Sequence, residues 1–233
     1  MKRYLIVNAD DFGHSSGISH GFIEAYEKGI VQSTSLMVNS SATEEAVRLA
    51  KEHPDLGVGL HINLTGEGEL QFDLENVNQV REEFSNQLKT FLDLLDSLPT
   101  HIDFHHHIHR RPNLSLLARE LSIHYHLPVR DFAGVAYNGW FYGQPIYGET
   151  DLSYVSVEFL LKLLGELSPG VTELSCHPGY VSNDFMCIYH REREVEIATL
   201  TDSKVKDAIE QLGIVLISYK DLALLPEGLT SQH

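Results

Sequence analysis

The stretch THIDFHHHIH, residues 100–109, contains five histidines and Asp103 within the nine positions 101–109. The segment has the pattern of a buried strand followed by a loop, and each desolvated imidazole needs hydrogen-bond partners or a cation for its two nitrogens. Successive strand residues face opposite sides, so we expect His105 and His107 to share one face and His106 to take the other. The pattern predicts a metal site that uses some of these histidines. A solvated tract or a purification tag is disfavoured, because the segment is internal and flanked by apolar sequence.

Further candidate ligands follow two other predicted strands. Asp10 and Asp11 come after the apolar run at residues 4–7, so one carboxylate can bind a metal while its neighbour acts as a base. The alternative is that one of them caps the next helix. His61 lies at the end of the strand in GLHINLT, where a lone histidine is more often a hydrogen-bonded core residue. If Asp11, His61 and His105 converge, however, they form a donor set compatible with Mg, Mn, Fe, Co or Zn.

His177 and Arg130 are candidate catalytic residues. His177 opens the HPG turn after a predicted strand, where it could act as a general acid that protonates a leaving nitrogen. Cys176 beside it is not a candidate nucleophile, because neighbouring strand residues point apart, and core packing is its expected role. Arg130, in LPVRD, either orients a carboxylate such as Asp10 or pairs with Asp131 at the surface.

Residues 137–147, YNGWFYGQPIY, contain the only tryptophan of the chain and four further aromatic side chains. Aromatic faces at the mouth of a cavity suit stacking against sugar rings, and the alternative is that they pack the loop onto the body of the protein. Trp140 and Tyr142 are therefore candidate substrate-binding residues. Asn39, which follows the second predicted strand, and His107 are the other two candidates.

Apolar runs and helical periodicity alternate along the whole chain, which predicts a parallel sheet covered by helices. Polar groups follow one strand after another, and such groups converge on one mouth only if the sheet closes into a barrel. We therefore expect an irregular TIM-like (β/α) barrel of about seven parallel strands, in a single domain spanning residues 1–233. Strands are predicted at residues 4–7, 33–38, 58–64, 102–105, 128–130, 173–176 and 214–218. Helices are predicted at about residues 17–28, 114–125, 155–167, 191–200 and 203–212, and around residues 46–50 and 84–95.

The charge balance narrows the class of partner. The chain has 17 Lys and Arg against 33 Asp and Glu, a formal net charge of −16, whereas nucleic acids and anionic membranes require a cationic surface. No apolar run approaches the ~18 residues of a membrane span, and no signal-peptide pattern precedes the first strand. Two cysteines, Cys176 and Cys187, cannot form a disulfide framework. We expect a cytoplasmic protein that binds a small, largely uncharged molecule.

The ordered motifs NADDFG, GIVQSTSLMVN, GLHINLT, HIDFHHHIH and CHPG, with the RERE run at residues 191–194, resemble those of the YdjC-like carbohydrate deacetylases. That family includes the chitooligosaccharide deacetylases. The resemblance implies an irregular TIM-like barrel, frequent homodimers and one divalent metal, usually magnesium. It also implies hydrolysis of the N-acetyl group of N-acetylglucosamine-containing oligosaccharides such as diacetylchitobiose.

Carried over residue by residue, the resemblance makes Asp11, His61 and His105 the metal ligands, Asp10 the base and His177 the acid. Zn²⁺, Co²⁺ and Mn²⁺ also suit such a donor set. Two alternatives stay open. A metal-dependent phosphoesterase or another amidohydrolase would use the same ligands and need several cationic groups near the metal. A non-catalytic metal-binding or sugar-binding protein would leave the position of Asp10 beside a ligand without a reason.

Overall fold

Parallel strands form the centre of the computed structural model, which describes residues 2–66, 72–181 and 188–226. Every ladder between the named strands of these ranges is parallel, as the alternation of strands and helices predicts. The strands are β1 Arg3–Phe12, β2 Ser33–Leu36, β3 Gly57–Ile62, β4 Ile102–Phe104, β5 Ala136–Asn138, β6 Gly170–Cys176 and β7 Ile214–Ile217.

Helices connect most of these strands, and local signals fix several helix ends. The first helix is capped by Ser15, whose hydroxyl accepts a hydrogen bond from the Ile18 N–H at 3.2 Å, so neither Asp10 nor Asp11 is its cap. The third helix ends at Asp96 in the left-handed conformation, with φ of 52°. The α-helices are α1 Ser16–Lys28, α2 Thr43–Glu52, α3 Val77–Leu95, α4 Pro112–Tyr125, α5 Val157–Gly165, α6 Arg191–Thr201 and α7 Ser203–Gln211. Short 3₁₀ segments lie at His105–Arg110, Leu152–Val155 and Tyr219–Leu224.

The sheet has the order β4-β3-β2-β1-β6-β5, and β7 also pairs with β1. One edge of β1 pairs with β6, while the other edge pairs with β7 through residues 3–6 and with β2 through residues 8–12. The sheet curls so strongly that its two ends approach each other. Tyr137 Oη on β5, at one end, lies 3.0 Å from His107 Nε2, which follows β4 at the other end. The predicted α/β barrel is confirmed as a curled half-barrel sheet surrounded by helices.

The strand predicted at residues 128–130 is wrong. Within the described ranges, this segment forms only an isolated bridge between Val129 and Ile102. Pro128 has no N–H to donate to a ladder, and Asp131 leaves the extended conformation with φ of 71°. The fifth strand is instead Ala136–Asn138, which overlaps the start of the Gly-rich segment at residues 137–147 that we expected to form a loop.

The two faces of the sheet differ in polarity. An extensive apolar core lies between the sheet and the helices, and includes Leu5, Val7 and Phe84. Burying each such side chain stabilises the fold by roughly 1.5–3 kcal/mol. The interior of the curled sheet instead has a small apolar cluster around the N-terminal half of β1, and polar side chains beyond it. The cluster comprises Tyr4, Ile6, Val171, Ile217 and Tyr219. The buried polar residues of the strands include Asn8, Asp10, Ser35, His61, Asp103 and Glu173.

Close packing accounts for Gly59 inside the curled sheet and for Cys176 in the core between sheet and helices. The His101 ring stacks on Tyr219 with centroids 3.8 Å apart, and it occupies the space where Gly59 would otherwise have a Cβ atom. Glycine at this position is therefore required by the close approach of an imidazole. Cys176 is buried, and its thiol donates to the Asn8 carbonyl at 3.4 Å, in agreement with a packing role. Cys187 lies outside the described residues.

We expect Gly59→Ala to lower the free energy of unfolding by ~1–3 kcal/mol, because the added methyl group overlaps the His101 ring. Gly165→Ala on α5 is the matched control, since a Cβ there meets no atom within 4 Å. The control should be neutral or slightly stabilising. Denaturant unfolding of both variants measures the difference, and equal stability of the two would contradict this account of the interior.

Candidate active site

A cavity of about 980 Å³ lies where the C-terminal ends of the strands meet. Eight of the ten predicted site residues line it, so the strand ends converge as a barrel requires. The predicted residues in its wall are Asp10, Asp11, His61, His105, His107, Trp140, Tyr142 and His177. Arg130 is completely buried behind Asp10, and Asn39 lies on the surface outside the cavity wall.

Three buried side chains bring their donor atoms together on one side of the cavity. Asp11 Oδ1 lies 3.3 Å from His61 Nε2 and 3.1 Å from His105 Nδ1. The two imidazole nitrogens are 3.3 Å apart. One carboxylate oxygen and two imidazole nitrogens are the donor types that divalent transition metals use, and one face of such a set stays open.

A bulge in β1 allows the adjacent residues Asp10 and Asp11 to reach the same cavity. Neighbouring strand residues normally point to opposite faces. Here the pairing of β1 with β2 shifts register between Ala9 and Phe12, and Asp11 has a φ of 76°. Bulges of this kind redirect a side chain and are frequent beside active sites. The redirected Asp11 joins the two histidines while Asp10 continues the inward-facing row of β1.

The histidine tract does not continue as a strand, so the predicted alternation of His105, His106 and His107 is wrong. β4 ends at Phe104, and His106 and His107 adopt left-handed conformations with φ of 54° and 49°. His106 lies 2.8 Å from the Thr65 hydroxyl, and His107 lines the cavity beside Tyr137. Among the residues that the structure describes, His105 is the one histidine of positions 101–109 that forms a ligand group with Asp11 and His61.

Asp103 fixes the orientation of His61. His61 Nδ1 lies 2.7 Å from Asp103 Oδ1, and because a carboxylate only accepts, Nδ1 carries the proton and Nε2 is directed at the ligand group. Burial lowers the pKa of His61, but Asp103 outweighs it and raises the pKa to about 10. A carboxylate behind a ligating histidine is the usual outer partner of a metal site.

Arg130 orients Asp10 rather than pairing with Asp131. Its Nη1 and Nη2 donate to the two Asp10 carboxylate oxygens at 2.7 and 2.8 Å, and Nη2 also lies 2.9 Å from Asp103 Oδ2 and 2.6 Å from Glu173 Oε1. Asp131 is instead engaged by Arg110 and His109. Burial raises the pKa of Asp10, but Arg130 outweighs it and holds that pKa below its ordinary value.

α6 places Arg193 between Asp11 and His177. Arg193 Nη2 donates to Asp11 Oδ2 at 2.7 Å, and Nη1 donates to the His177 carbonyl at 3.2 Å. His177 Nε2 lies 3.9 Å from Asp10 Oδ2 across the cavity. Burial lowers the pKa of His177 to about 4, so the imidazole is neutral near pH 7.

Formal charge supports a cation at the three-ligand group. Four carboxylates contact two guanidinium groups, and even with His61 protonated, as its raised pKa implies without a cation, the formal charge of this buried cluster stays negative. The contacts are those of Asp10, Asp103 and Glu173 to Arg130, and of Asp11 to Arg193. Asp11 Oδ1 is buried and accepts no hydrogen bond from the described residues. A divalent cation bound to Asp11, His61 and His105 would both balance the cluster and satisfy this oxygen.

Aromatic side chains form the opposite wall of the cavity. Trp140 and Tyr147 are 69% and 86% exposed at the rim, and Tyr142 stacks on Tyr189 with centroids 4.5 Å apart. Phe141 is completely buried, so the segment both packs onto the body and presents free ring faces. Asn39 donates to the Asn63 carbonyl at 3.2 Å, and its predicted role in substrate binding has no support from its position.

The family model described as YdjC-like protein matches residues 4–211 of the chain. The chain belongs to the YdjC-like family. A carbohydrate deacetylase of Geobacillus stearothermophilus is 34% identical, with 95% of this chain and 98% of the relative covered. A chitooligosaccharide deacetylase of Serratia marcescens is 32% identical, with 95% and 100% covered. A crystal structure from Enterococcus faecalis V583, of a protein named for cellobiose-phosphate cleavage, matches with a TM-score of 0.83 at 28% identity, covering 95% of this chain and 99% of that one.

Sequence reasoning did not assign three residues that hold the site of this YdjC-like protein together. Asp103 lies two residues before His105 on the same strand face, so the alternation could have revealed it. Glu173 is a charged residue inside an otherwise apolar strand, which also signals a buried partner. Arg193 lies in the recognised RERE run, but nothing in its local sequence indicates that it contacts Asp11, 182 positions away.

We expect Asp11→Ala, His61→Ala and His105→Ala each to abolish stoichiometric binding of a divalent metal by this YdjC-like protein, because each removes one of three converging donors. Elemental analysis of the purified variants measures the metal content. His106→Ala and His109→Ala are the controls, because neither histidine belongs to the three-donor group, and both variants should retain the metal. Full metal retention by His61→Ala would rule out the site.

Proposed function

We propose that the protein is a metal-dependent hydrolase that removes N-acetyl groups from N-acetylglucosamine-containing oligosaccharides such as diacetylchitobiose. The observation that carries the proposal is the convergence of Asp11, His61 and His105 beside the Asp10–Arg130 pair and His177, in one cavity with an aromatic wall. Membership of a family whose relatives include carbohydrate and chitooligosaccharide deacetylases supports the same reaction.

Asp10 is the base in this proposal. A divalent cation held by Asp11, His61 and His105 would polarise the acetyl carbonyl and acidify a water molecule. Arg130 keeps the Asp10 carboxylate ionised near neutral pH and, through two parallel hydrogen bonds, fixes its orientation. The Asp10 carboxylate can therefore accept a proton without first losing one.

His177 is the acid. The departing sugar amine must gain a proton to leave, and His177 Nε2 lies in the cavity wall 3.9 Å from Asp10 Oδ2. Because burial keeps this imidazole neutral before reaction, it has to gain a proton during the cycle. The proximity of Asp10 allows a proton accepted at one side chain to be delivered from the other.

The arginine side chains in and behind the cavity wall all form ion pairs with carboxylates, which favours amide hydrolysis over phosphoester hydrolysis at this site. A second group, Asp10, His61 and Asp103, also has metal-ligand spacing, but the Arg130 guanidinium already contacts both of its carboxylates. The two arginines in the cavity wall are engaged as well, Arg193 with Asp11 and Arg110 with Asp131. A phosphoesterase needs cationic groups that can turn to the substrate. A purely binding protein would give no role to the oriented Asp10 carboxylate.

The proposed metal is a divalent ion, and the proposed substrate is a short, neutral N-acetylated sugar. Magnesium is the ion that the family resemblance implies, and Zn²⁺, Co²⁺ and Mn²⁺ are also chemically plausible with one carboxylate and two imidazole donors. Exposed ring faces of Trp140 and Tyr147 suit stacking on neutral sugar rings. The Enterococcus relative named for cellobiose-phosphate cleavage makes a phosphorylated disaccharide a necessary comparison substrate.

The cellular location and the oligomeric state of the protein are further proposals. No helix in the described part of the chain combines the length and apolarity that crossing a bilayer requires. We propose a cytoplasmic enzyme, which fractionation of cells expressing the tagged protein tests. The homodimer that the resemblance implies is tested by light scattering of the metal-loaded protein.

We expect the metal-loaded protein to release acetate from diacetylchitobiose or a close relative. The assay compares N-acetylated sugars of increasing length, with and without a phosphate group, on protein reconstituted separately with Mg²⁺, Mn²⁺, Co²⁺ and Zn²⁺. Aryl phosphates and cyclic amides are the comparison substrates for the alternative activities. A protein inactive on every acetamido sugar but active on one of these would overturn the proposal in favour of the corresponding alternative.

Asp10→Asn should lower turnover by on the order of 10²–10⁴-fold, because it keeps size and much of the hydrogen bonding but removes the base. Metal content should stay near the wild-type value, since Asp10 is not among the three ligands. Both quantities are measured on the same preparation. Near-normal activity would mean that another group accepts the proton.

A further inference from the structure

α6 carries two buried glutamates four residues apart, Glu192 and Glu196, that the mechanism above does not use. A buried carboxyl group costs free energy unless hydrogen bonds compensate for lost water, so its partners indicate why it is there. The two glutamates have different partners. Glu196 contacts the surroundings of His177, and Glu192 contacts the aromatic wall.

Glu196 holds the backbone from which His177 projects. Its Oε2 accepts a hydrogen bond from the His177 backbone N–H at 2.5 Å, and its Oε1 accepts one from the Tyr189 hydroxyl. The Tyr189 hydroxyl oxygen also accepts the Gly143 N–H at 2.8 Å. Burial raises the pKa of Glu196 to about 8, although both hydrogen bonds favour the ionised carboxylate.

The Tyr189 ring in turn restricts the His177 imidazole. The imidazole centroid lies 5.6 Å from the Tyr189 ring and 5.4 Å from the Tyr142 ring, at interplanar angles of 62° and 66°. Tyr142 and Tyr189 stack on each other with an angle of 6°. Two parallel rings therefore meet the imidazole edgewise, which limits rotation of the His177 side chain.

Glu192 has no such contact with His177. Its Oε1 accepts hydrogen bonds from Gln144 Nε2 at 2.9 Å and from the Thr150 hydroxyl at 2.5 Å. Gln144 Nε2 also donates to the Ile188 carbonyl at 2.9 Å. These contacts fix the segment that follows Trp140 and Tyr142, which forms part of the substrate wall.

We propose that Glu196 is a positioning residue for His177. It fixes the His177 backbone directly and, through Tyr189, the stacked aromatic pair that packs against one side of the imidazole. Glu192, on the same helix, holds the aromatic wall instead. The inference rests on the proposed function, in which His177 protonates the departing amine. It predicts that the two glutamates affect different kinetic constants.

The kinetic test compares Glu196→Ala, Glu196→Gln and Tyr189→Phe with the matched control Glu192→Gln, all loaded with the same metal. Glu196→Ala should lower kcat on diacetylchitobiose by about 10²-fold, the loss typical of a misplaced catalytic group, with KM nearly unchanged. Glu196→Gln keeps an acceptor for the His177 N–H and should lose less, and Tyr189→Phe should lie between them. Glu192→Gln should mainly raise KM. On 4-nitrophenyl acetate, whose phenolate leaves without protonation, the Glu196 variants should lose much less of the wild-type kcat than on diacetylchitobiose.

Ring signals of His177 in NMR spectra give a readout that needs no activity, with His177→Gln as the assignment standard. Glu196→Ala should shift and broaden these signals, because the His177 backbone and the Tyr189 ring lose their hydrogen bonds to Glu196, whereas Glu192→Gln should leave them in place. Thermal unfolding and metal content identify any variant that is merely misfolded. If Glu196→Ala is misfolded, Glu196→Gln replaces it in the comparison. Unchanged His177 signals in a folded Glu196→Ala protein would overturn the inference. If the signals shift as expected but wild type releases no acetate from any sugar, the positioning stands and only the proposed function fails.

Discussion

One buried guanidinium group, that of Arg130, holds the interior of this protein together. Three carboxylates from three strands contact it: Asp10 on β1, Asp103 on β4 and Glu173 on β6. Taking such charges out of water costs several kcal/mol for each ion unless geometry and hydrogen bonding compensate. The planar fork of arginine donors provides this compensation, whereas a lysine ammonium would lack the paired, fixed directions. The curled sheet thus depends on an ion cluster where a regular barrel would have apolar layers.

Two of the carboxylates that contact Arg130, Asp103 and Glu173, also contact residues nearer the two ends of the barrel. At the mouth, Asp103 orients His61, so the same carboxylate serves the guanidinium and a candidate metal ligand. Towards the bottom, Glu173 Oε2 accepts the Tyr219 hydroxyl at 2.6 Å, and Tyr219 stacks on His101. Much of the stability has to come from the apolar core outside the sheet, because the interior is committed to balancing charge.

Sequence patterns predicted the parts of this structure that depend on local order. The apolar alternation and helical periodicity predict the α/β barrel, and the polar strand ends predict that Asp11, His61 and His105 meet. The patterns failed where the backbone departs from a regular strand, at the left-handed turn after His105 and at the short segment around Val129. They also could not predict contacts between distant segments, such as those that Arg193 of α6 makes with Asp11 in β1 and that Glu196 of α6 makes with His177 after β6.

The bulge at Asp11 shows why the site forms only when the whole chain folds. Non-glycine residues seldom adopt a positive φ, so the local sequence alone does not specify the conformation that redirects Asp11. Two adjacent carboxylates would also repel each other if they shared one environment. The fold instead supplies a separate cation to each, Arg130 to Asp10 and Arg193 to Asp11. Burial raises the pKa of Asp11, but Arg193 and the two imidazoles hold that pKa well below its ordinary value. Because both arginines arrive from later parts of the chain, neighbouring residues acquire different roles, one oriented as a base and the other as a ligand, only in the completed structure.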